Sequence, residues 1–326
     1  MIGLIALPIL GKIGAIIGSL LFFLYDFYQE ATTQKVNQQA HRYNRKNSQG
    51  KTLLMEAIIN NQGNIALDII NSGEADLSIQ DNNRMTALLY AAEHWRERIV
   101  KAIVNKYEEF NGNELGRALV IALTQPIYYN YGSRIINSTA KALIKHKDTN
   151  LNFKGPIGGR TALMISLDKS LDDVSNLLLS DDRIDLNVQD HSGNTAPMIA
   201  ASKREMREFL LPMIRNKKVH LNKINNEGKT LLMLAIISCK SNSDYQPVVL
   251  EIINKAAVKL ELRDNFGSSA QDYAIKSGNT IVTDRIFRII RIKDLLPATN
   301  MTIYVIHLVT RYDGVEIDRE FTKSAS

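Results

Sequence analysis

The 326-residue chain carries 40 Lys plus Arg against 34 Asp plus Glu, and a single cysteine. A hydrophobic fraction of 45% with 23% charged residues excludes wholesale disorder and a multi-span transporter. One cysteine excludes an internal disulfide. The net charge of +6 forms no dense basic footprint. Residues 1–48 hold five basic and two acidic side chains, residues 49–290 thirty and twenty-seven, and residues 291–326 five of each, so no specific nucleic-acid partner is expected.

Residues 1–30 read as a hydrophobic, membrane-associating segment. Ile2 to Tyr25 is almost continuously apolar, broken by Pro8, Lys12, Ser19 and several glycines. The uninterrupted part, Ile13 to Tyr25, reaches only about 20 Å as a helix, short of the roughly 30 Å hydrocarbon core. Counted from Ile2 the segment is long enough to span, but Lys12 then lies near mid-bilayer at a cost of about 2.5–3.5 kcal/mol. A cleaved signal fits less well, because no basic region precedes the apolar stretch and no small-residue cleavage site follows it. A soluble segment covering the first repeat is the other alternative. Lys35, Arg42, Arg45 and Lys46 follow the segment, so a single-pass reading puts the large carboxy-terminal part in the cytoplasm. Gly14 and Gly18 form one Gly-xxx-Gly spacing, which by itself carries little. Residues 31–47 are a polar linker.

Self-similarity dominates residues 48–290. Short stretches beginning Gly50-Lys51-Thr52, Asn83-Arg84-Met85-Thr86, Gly159-Arg160-Thr161, Gly193-Asn194-Thr195 and Gly228-Lys229-Thr230 each lead into an apolar helical run. Three of the gaps between threonines are 34, 34 and 35 residues. Leu115-Gly116-Arg117-Ala118 occupies the place of a further unit, with Arg117 at the threonine position, and Phe266-Gly267-Ser268-Ser269 opens a degenerate one. Second helices are expected at Ile65–Asn71, Arg98–Tyr107, Ile135–His146, Asp172–Leu179, Glu205–Ile214 and Pro247–Asn254, and a last repeat helix at Asp284–Ile290. Polar turns with alternating tails follow, as in Ala75–Asp81, Ile184–Asp190, Val219–Asn225 and Val258–Asp264. Threonine is a favourable helix N-cap, and glycine two residues ahead suits a left-handed turn. Neither helix of a pair can hide its apolar stripe alone, so neighbouring pairs must stack.

These residues resemble the Thr-Pro-Leu-His-x-Ala motif of the ankyrin-repeat family, which implies an all-α solenoid of about six to seven helix-turn-helix units. Thr52, Thr86, Thr161, Thr195 and Thr230 match its threonine, and Leu54, Leu88, Leu163 and Leu232 its leucine. The family's proline is Leu or Ala here, and its histidine is mostly Met, at Met55, Met164, Met198 and Met233. The histidine-to-threonine bond is therefore expected to be absent and replaced by apolar packing. The Asn or Asp after the second helix is matched by Asp76, Asp185 and Asn222. By the same resemblance, finger tips and first-helix faces form the surface that docks protein partners. The matching tip residues are Asn82, Asn83, Arg84, His191, Ser192, Asn226, Glu227, Asn265 and Phe266, with Glu56, Tyr90 and Ile165 as further first-helix candidates.

The third unit departs most, with a long aromatic loop in which Tyr128, Tyr129 and Tyr131 either bind a partner or seal the loop. The loop Thr149–Gly159 reads as the next finger, lengthened by a glycine-rich turn, and lacks the lysine-serine ending of a phosphate-binding loop. Eight bases between Lys203 and Lys229, against Glu205, Glu208 and Glu227, either touch an acidic surface or are dispersed solubilising charge.

After Pro297 the pattern changes to period two. Thr302–Thr310 and Val315–Phe321 flank Asp313-Gly314, so residues 291–326 predict a terminal β-hairpin that caps the solenoid or binds a partner.

Catalytic, cofactor and metal residues are not expected. Asp172 with Asp173 and Asp181 with Asp182 are sequence neighbours that do not converge on one site, and Cys239 reads as a buried thiol. His41, His94, His146, His191, His220 and His307 fit no short zinc spacing. The expected function is a membrane-tethered protein-interaction scaffold, with neither enzymatic activity nor a small-molecule ligand. Its wealth of Asn, Ile and Lys is similar to ankyrin proteins of intracellular bacteria, which implies a host-directed effector. An endogenous membrane-linked adaptor or structural protein is the alternative.

Overall fold

The computed structural model describes residues 25, 28–29, 32–106, 111–125, 132–239, 245–255 and 257–295. The apolar segment before Tyr25, the loop holding Tyr128, Tyr129 and Tyr131, and the hairpin expected over 302–321 lie outside them. Among the described residues no helix is long and apolar enough to cross a membrane.

The chain divides into two compact units, residues 1–110 and 111–326. In the first, α1 occupies residues 32–44, inside the stretch read as a polar linker. Two helix pairs follow, α2 (Leu53–Ile59) with α3 (Gly63–Ser72) and α4 (Ala87–Glu93) with α5 (Glu97–Lys106). The second unit holds α6 (Gly112–Thr124), α7 (Gly132–Ile144), α8 (Ala162–Asp168), α9 (Asp172–Leu179), α10 (Ala196–Ala201), α11 (Arg207–Arg215), α12 (Leu231–Cys239), α13 (Gln246–Ile253), α14 (Ala270–Ser277) and α15 (Thr280–Leu295). Even-numbered helices pack side by side in one layer, α6 to α14, and odd-numbered helices in a second, α7 to α15. The described residues contain no β-strand; two fingers carry isolated antiparallel bridges, Ile224–Thr230 and Arg263–Ser269.

The repeated threonines fix where first helices begin. Thr52, Thr86, Thr161 and Thr230 have buried hydroxyls that accept the backbone N–H three residues on, from Met55, Leu89, Met164 and Met233. Such a cap contributes about 1 kcal/mol. Thr195 makes no such bond, and Pro197 near the start of α10 supplies a preset φ instead. Ser269 forms a full capping box with Asp272. The methionines do more than pack. The sulfurs of Met55 and Met233 accept the backbone N–H of Thr52 (3.5 Å) and Thr230 (3.4 Å), so the lost histidine is replaced in part by a soft acceptor.

Stacking buries the remaining faces. Leu163, Met164 and Leu167 of α8, Met198 and Ala201 of α10, and Leu232, Met233 and Ile236 of α12 are all buried. Each fully buried Leu, Ile or Met contributes roughly 1.5–3 kcal/mol, which no single helix pair secures by itself.

The third repeat corrects the sequence reading. Arg117 is not a cap but lies inside α6, which begins at Gly112 with Asn111 as its N-cap. Gly116 is therefore in a helix rather than a turn; it lets α6 approach the chain so closely that a Cβ would stand 2.4 Å from the Asn150 carbonyl oxygen. Elsewhere helix ends agree within a few residues. The stretch expected as one helix over Glu205–Ile214 begins with a 3-10 turn at Arg204–Met206, and the last helix extends well beyond Asp284–Ile290 at both ends.

Candidate protein-binding surface

Five of the fingers are each built on one Asn or Asp. Asn47, Asp81, Asp190, Asn225 and Asp264 each accept with Oδ1 the backbone N–H groups two and four residues ahead, at 2.8–3.0 Å. The second side-chain atom bonds the residue nine positions ahead in three fingers and another group in the other two. Asn47 donates to Glu56, Asp81 accepts from the Tyr90 hydroxyl at 2.7 Å, Asn225 donates to Asn194, and Asp264 accepts from Tyr273 at 2.6 Å. Asp190 faces Arg160 at 3.8 Å.

These partners set the electrostatics. Burial opposes ionisation of Asp81, but the Tyr90 hydroxyl and the Met85 and Asn83 N–H groups outweigh it and lower the pKa. Asp264 follows the same pattern with Tyr273, Ser268 and Phe266. Burial and the adjacent carboxylate push Tyr273 up to about 12 and Tyr90 higher still.

Successive fingers are hydrogen-bonded tip to tip. In the first unit Asn82 donates its N–H to Gln49 and its side-chain amide to Ser48. In the second, His191 N–H donates to Gly158, Asn226 to Ser192 and Asn265 to Glu227, at 2.8–2.9 Å. The side chains of Asn226 and Asn265 add bonds to the carbonyls of His191 and Asn226. The result in the second unit is a continuous ridge over four fingers. Its outward side chains include Ile157, 76% exposed, and Phe266, 84% exposed, with His191, Ser192 and Glu227 exposed between them.

All nine expected tip residues, Asn82, Asn83, Arg84, His191, Ser192, Asn226, Glu227, Asn265 and Phe266, are exposed. They are not equivalent, because Asn82, Asn226 and Asn265 spend their amides on the preceding finger. Tyr90 and Ile165 are corrected, because both are buried, whereas Glu56 is half-buried and accepts from Asn47. Tyr128, Tyr129 and Tyr131 lie outside the described residues.

A second ladder follows the second helices. Asn44, Asn152, Asn187 and Asn222 each bridge to the next repeat, with Oδ1 accepting one backbone N–H and Nδ2 donating to a backbone carbonyl. This shifts the expected register: Asn222 is equivalent to Asn187, while Asp76 and Asp185 lie two residues earlier and cap their own turns. The 35-residue spacing of Asn152, Asn187 and Asn222 is the signal that sequence reasoning overlooked.

Many cations serve helix ends. Lys106 reaches the Ile70 carbonyl, Lys169 those of Thr124 and Gln125, and Lys203 that of Asp168. Arg183 donates to the carbonyls of Ile144, His146, Lys147 and Thr149 while paired with Asp181. Positive charge there complements the helix dipole. Within the basic run from Lys203 to Lys229, Lys203 pairs with Asp168, Arg215 with Glu251 and Lys229 with Glu227.

Among the described residues no group of three His, Cys, Asp or Glu side chains is placed to hold a metal. Cys239 is buried at the end of α12, where Asn279 donates to its sulfur.

No family model matches the chain. It is 25% identical over 221 residues to Ankyrin repeat and SOCS box protein 6 of Pongo abelii, a match covering 65% of this chain and 46% of that protein. The chain thus spans about half the length of the curated relative it matches. An ankyrin repeat domain from Acinetobacter baumannii AYE aligns at 23% identity and a TM-score of 0.49, covering 62% of this chain and 96% of that one. The ankyrin repeat domain of Bcl-3, a member of the IkappaB protein family, aligns over 74% of this chain and 100% of its own, at 17% identity and a TM-score of 0.52. Likeness to Bcl-3, with the recurring finger, threonine cap and helix pair, establishes the fold as that of an ankyrin-repeat solenoid.

Proposed function

We propose that the chain is a protein-interaction scaffold whose second unit engages a protein partner along the finger ridge. The observation that carries this reading is the ridge itself. Its backbone is fixed tip to tip before binding, so little ordering entropy is lost, and it displays Ile157 and Phe266 as large exposed apolar side chains with polar neighbours between. Likeness to ankyrin-repeat proteins supports it. Arg84, Asn83 and Asn82 offer a smaller surface of the same kind in the first unit. The test is proximity labelling with the full chain and with Ile157→Ser/Phe266→Ser. Loss of the enriched partner with an unchanged urea midpoint supports the ridge, and unchanged capture refutes it and redirects attention to Tyr128, Tyr129 and Tyr131.

Membrane tethering by residues 2–25 completes the proposal and rests on their apolar run. Fractionation beside a chain beginning at Asn47 tests it, and equal solubility of the two removes it. A host-directed role, motivated by the composition, is tested by a reporter fusion scored for entry into host cells; a reporter retained in the producing cell leaves the endogenous adaptor.

A further inference from the structure

Within the described residues the last helix pair of the second unit leaves its outer stacking face uncovered. Ile236 of α12 and Ile253 of α13 are 1% and 3% exposed because α14 and α15 lie against them. The equivalent residues one repeat later, Ile275 of α14 and Phe287 of α15, are 52% and 45% exposed. Ile290 continues the same side of α15 one turn on, half-buried. The rim has turned polar: Leu232 and Met233 of the sixth repeat are replaced by Gln271 and Asp272 in the seventh. A terminal repeat turns a polar outer face to solvent, so this polar rim suits the end of the stack, while Ile275, Phe287 and Ile290 are left as an apolar remainder to be covered.

We propose that residues 302–321 of this same chain dock on that face, with the apolar side of Val315–Phe321 over Ile275 and Phe287. Three considerations select this occupant. Residues 296–326 continue directly from α15, the helix that carries Phe287, so docking is intramolecular at an effective concentration of order millimolar. The run has a matching side, because Val315, Ile317 and Phe321, interrupted by Arg319, alternate with Glu316, Asp318 and Glu320, and extended pairing alone is marginal without a surface beneath it. A second copy is a poorer match, because Ile275, Phe287 and Ile290 form a small apolar patch, whereas a stable interface takes roughly 800 Å² per partner.

The experiment is hydrogen exchange on the full chain, comparing native protein with Ile275→Glu/Phe287→Glu and with Val315→Lys/Ile317→Lys. Amides of 302–321 are expected to exchange at least about ten-fold more slowly than free peptide in the native chain, and to lose that protection in both variants. Peptides covering the fingers at Asp190 and Asn225 keep theirs, which separates undocking from unfolding. Unprotected 302–321 in the native chain overturns the proposal, as does protection that survives both double substitutions. Sedimentation showing a dimer that Ile275→Glu/Phe287→Glu dissolves overturns it in favour of a second copy.

Discussion

Replacing Gly228 by alanine separates the cost of a left-handed residue from the cost of disturbing the finger stack. Gly228 has φ +77°, and an added Cβ would meet Asn265 Oδ1 at 2.7 Å, Asn265 N at 2.8 Å and Asp264 Cα at 2.9 Å. Two of those atoms are backbone, so no rotamer change relieves the clash. Gly267 has nearly the same φ, +76°, with nothing within 4 Å of a Cβ. Gly267→Ala therefore incurs only the conformational term, about 1–2 kcal/mol. Gly228→Ala adds overpacking of about 1–3 kcal/mol and breaks the Asn265-to-Glu227 register. In urea, with a slope of about 1–3 kcal/mol/M, this difference moves the midpoint by roughly 1 M between the two variants. Equal midpoints for Gly228→Ala and Gly267→Ala would refute the claim that each finger rests on its predecessor.

Other substitutions probe the remaining supports. Asp264→Asn should keep its finger, because Asn47 and Asn225 already hold the same turn, but it should flatten the acid limb of the stability curve. Asp264 has a folded pKa below the ordinary 3.8, so its contribution is full above that value and is lost as pH falls through the lower folded pKa. A melting series between about pH 5 and 2 measures the slope, and an unchanged slope contradicts the assignment. Arg183→Met should cost about 1–3 kcal/mol in urea unfolding by orphaning carbonyls at the end of α7; no loss would assign those bonds to surface decoration. Ser166 and Ser175 bond each other at 2.9 Å in the core of the fourth repeat. Ser166→Ala should therefore destabilise by roughly 1–2 kcal/mol, and Ser175→Ala added to it should recover part of that, as a double-mutant cycle in urea would show.

The fold was legible because its determinants are local and repeated. Thr52, Thr161 and Thr230 cap helices by their own hydroxyls, and Asp172–Leu179 was readable to the residue because its apolar period is unbroken. Arg117 misled because Leu115-Gly116-Arg117 imitates the repeat in spelling, while the Asn111 cap six residues earlier decides where α6 begins. The exposed tips were also readable, since a polar turn between apolar helices has nowhere else to go. Their division of labour was not. Whether Asn226 faces a partner or His191, and whether Tyr90 faces solvent or Asp81, depends on residues 35 and 9 positions away. Those distances are set by stacking, which no single motif contains. The methionine sulfur bonds at Met55 and Met233 were hidden for a different reason: an apolar residue was read as packing alone.

The central claim is that one protein partner lies along the ridge of the second unit. Site-specific photo-crosslinking in the full chain tests it most directly, with the reactive group placed in turn at Ile157, His191 and Phe266 on the ridge, and at Asn176 and Glu208, which are exposed on second helices. The account predicts that the three ridge positions yield the same cross-linked protein and that Asn176 and Glu208 do not. Cross-links to that protein from Asn176 and Glu208, with none from the ridge, would contradict it.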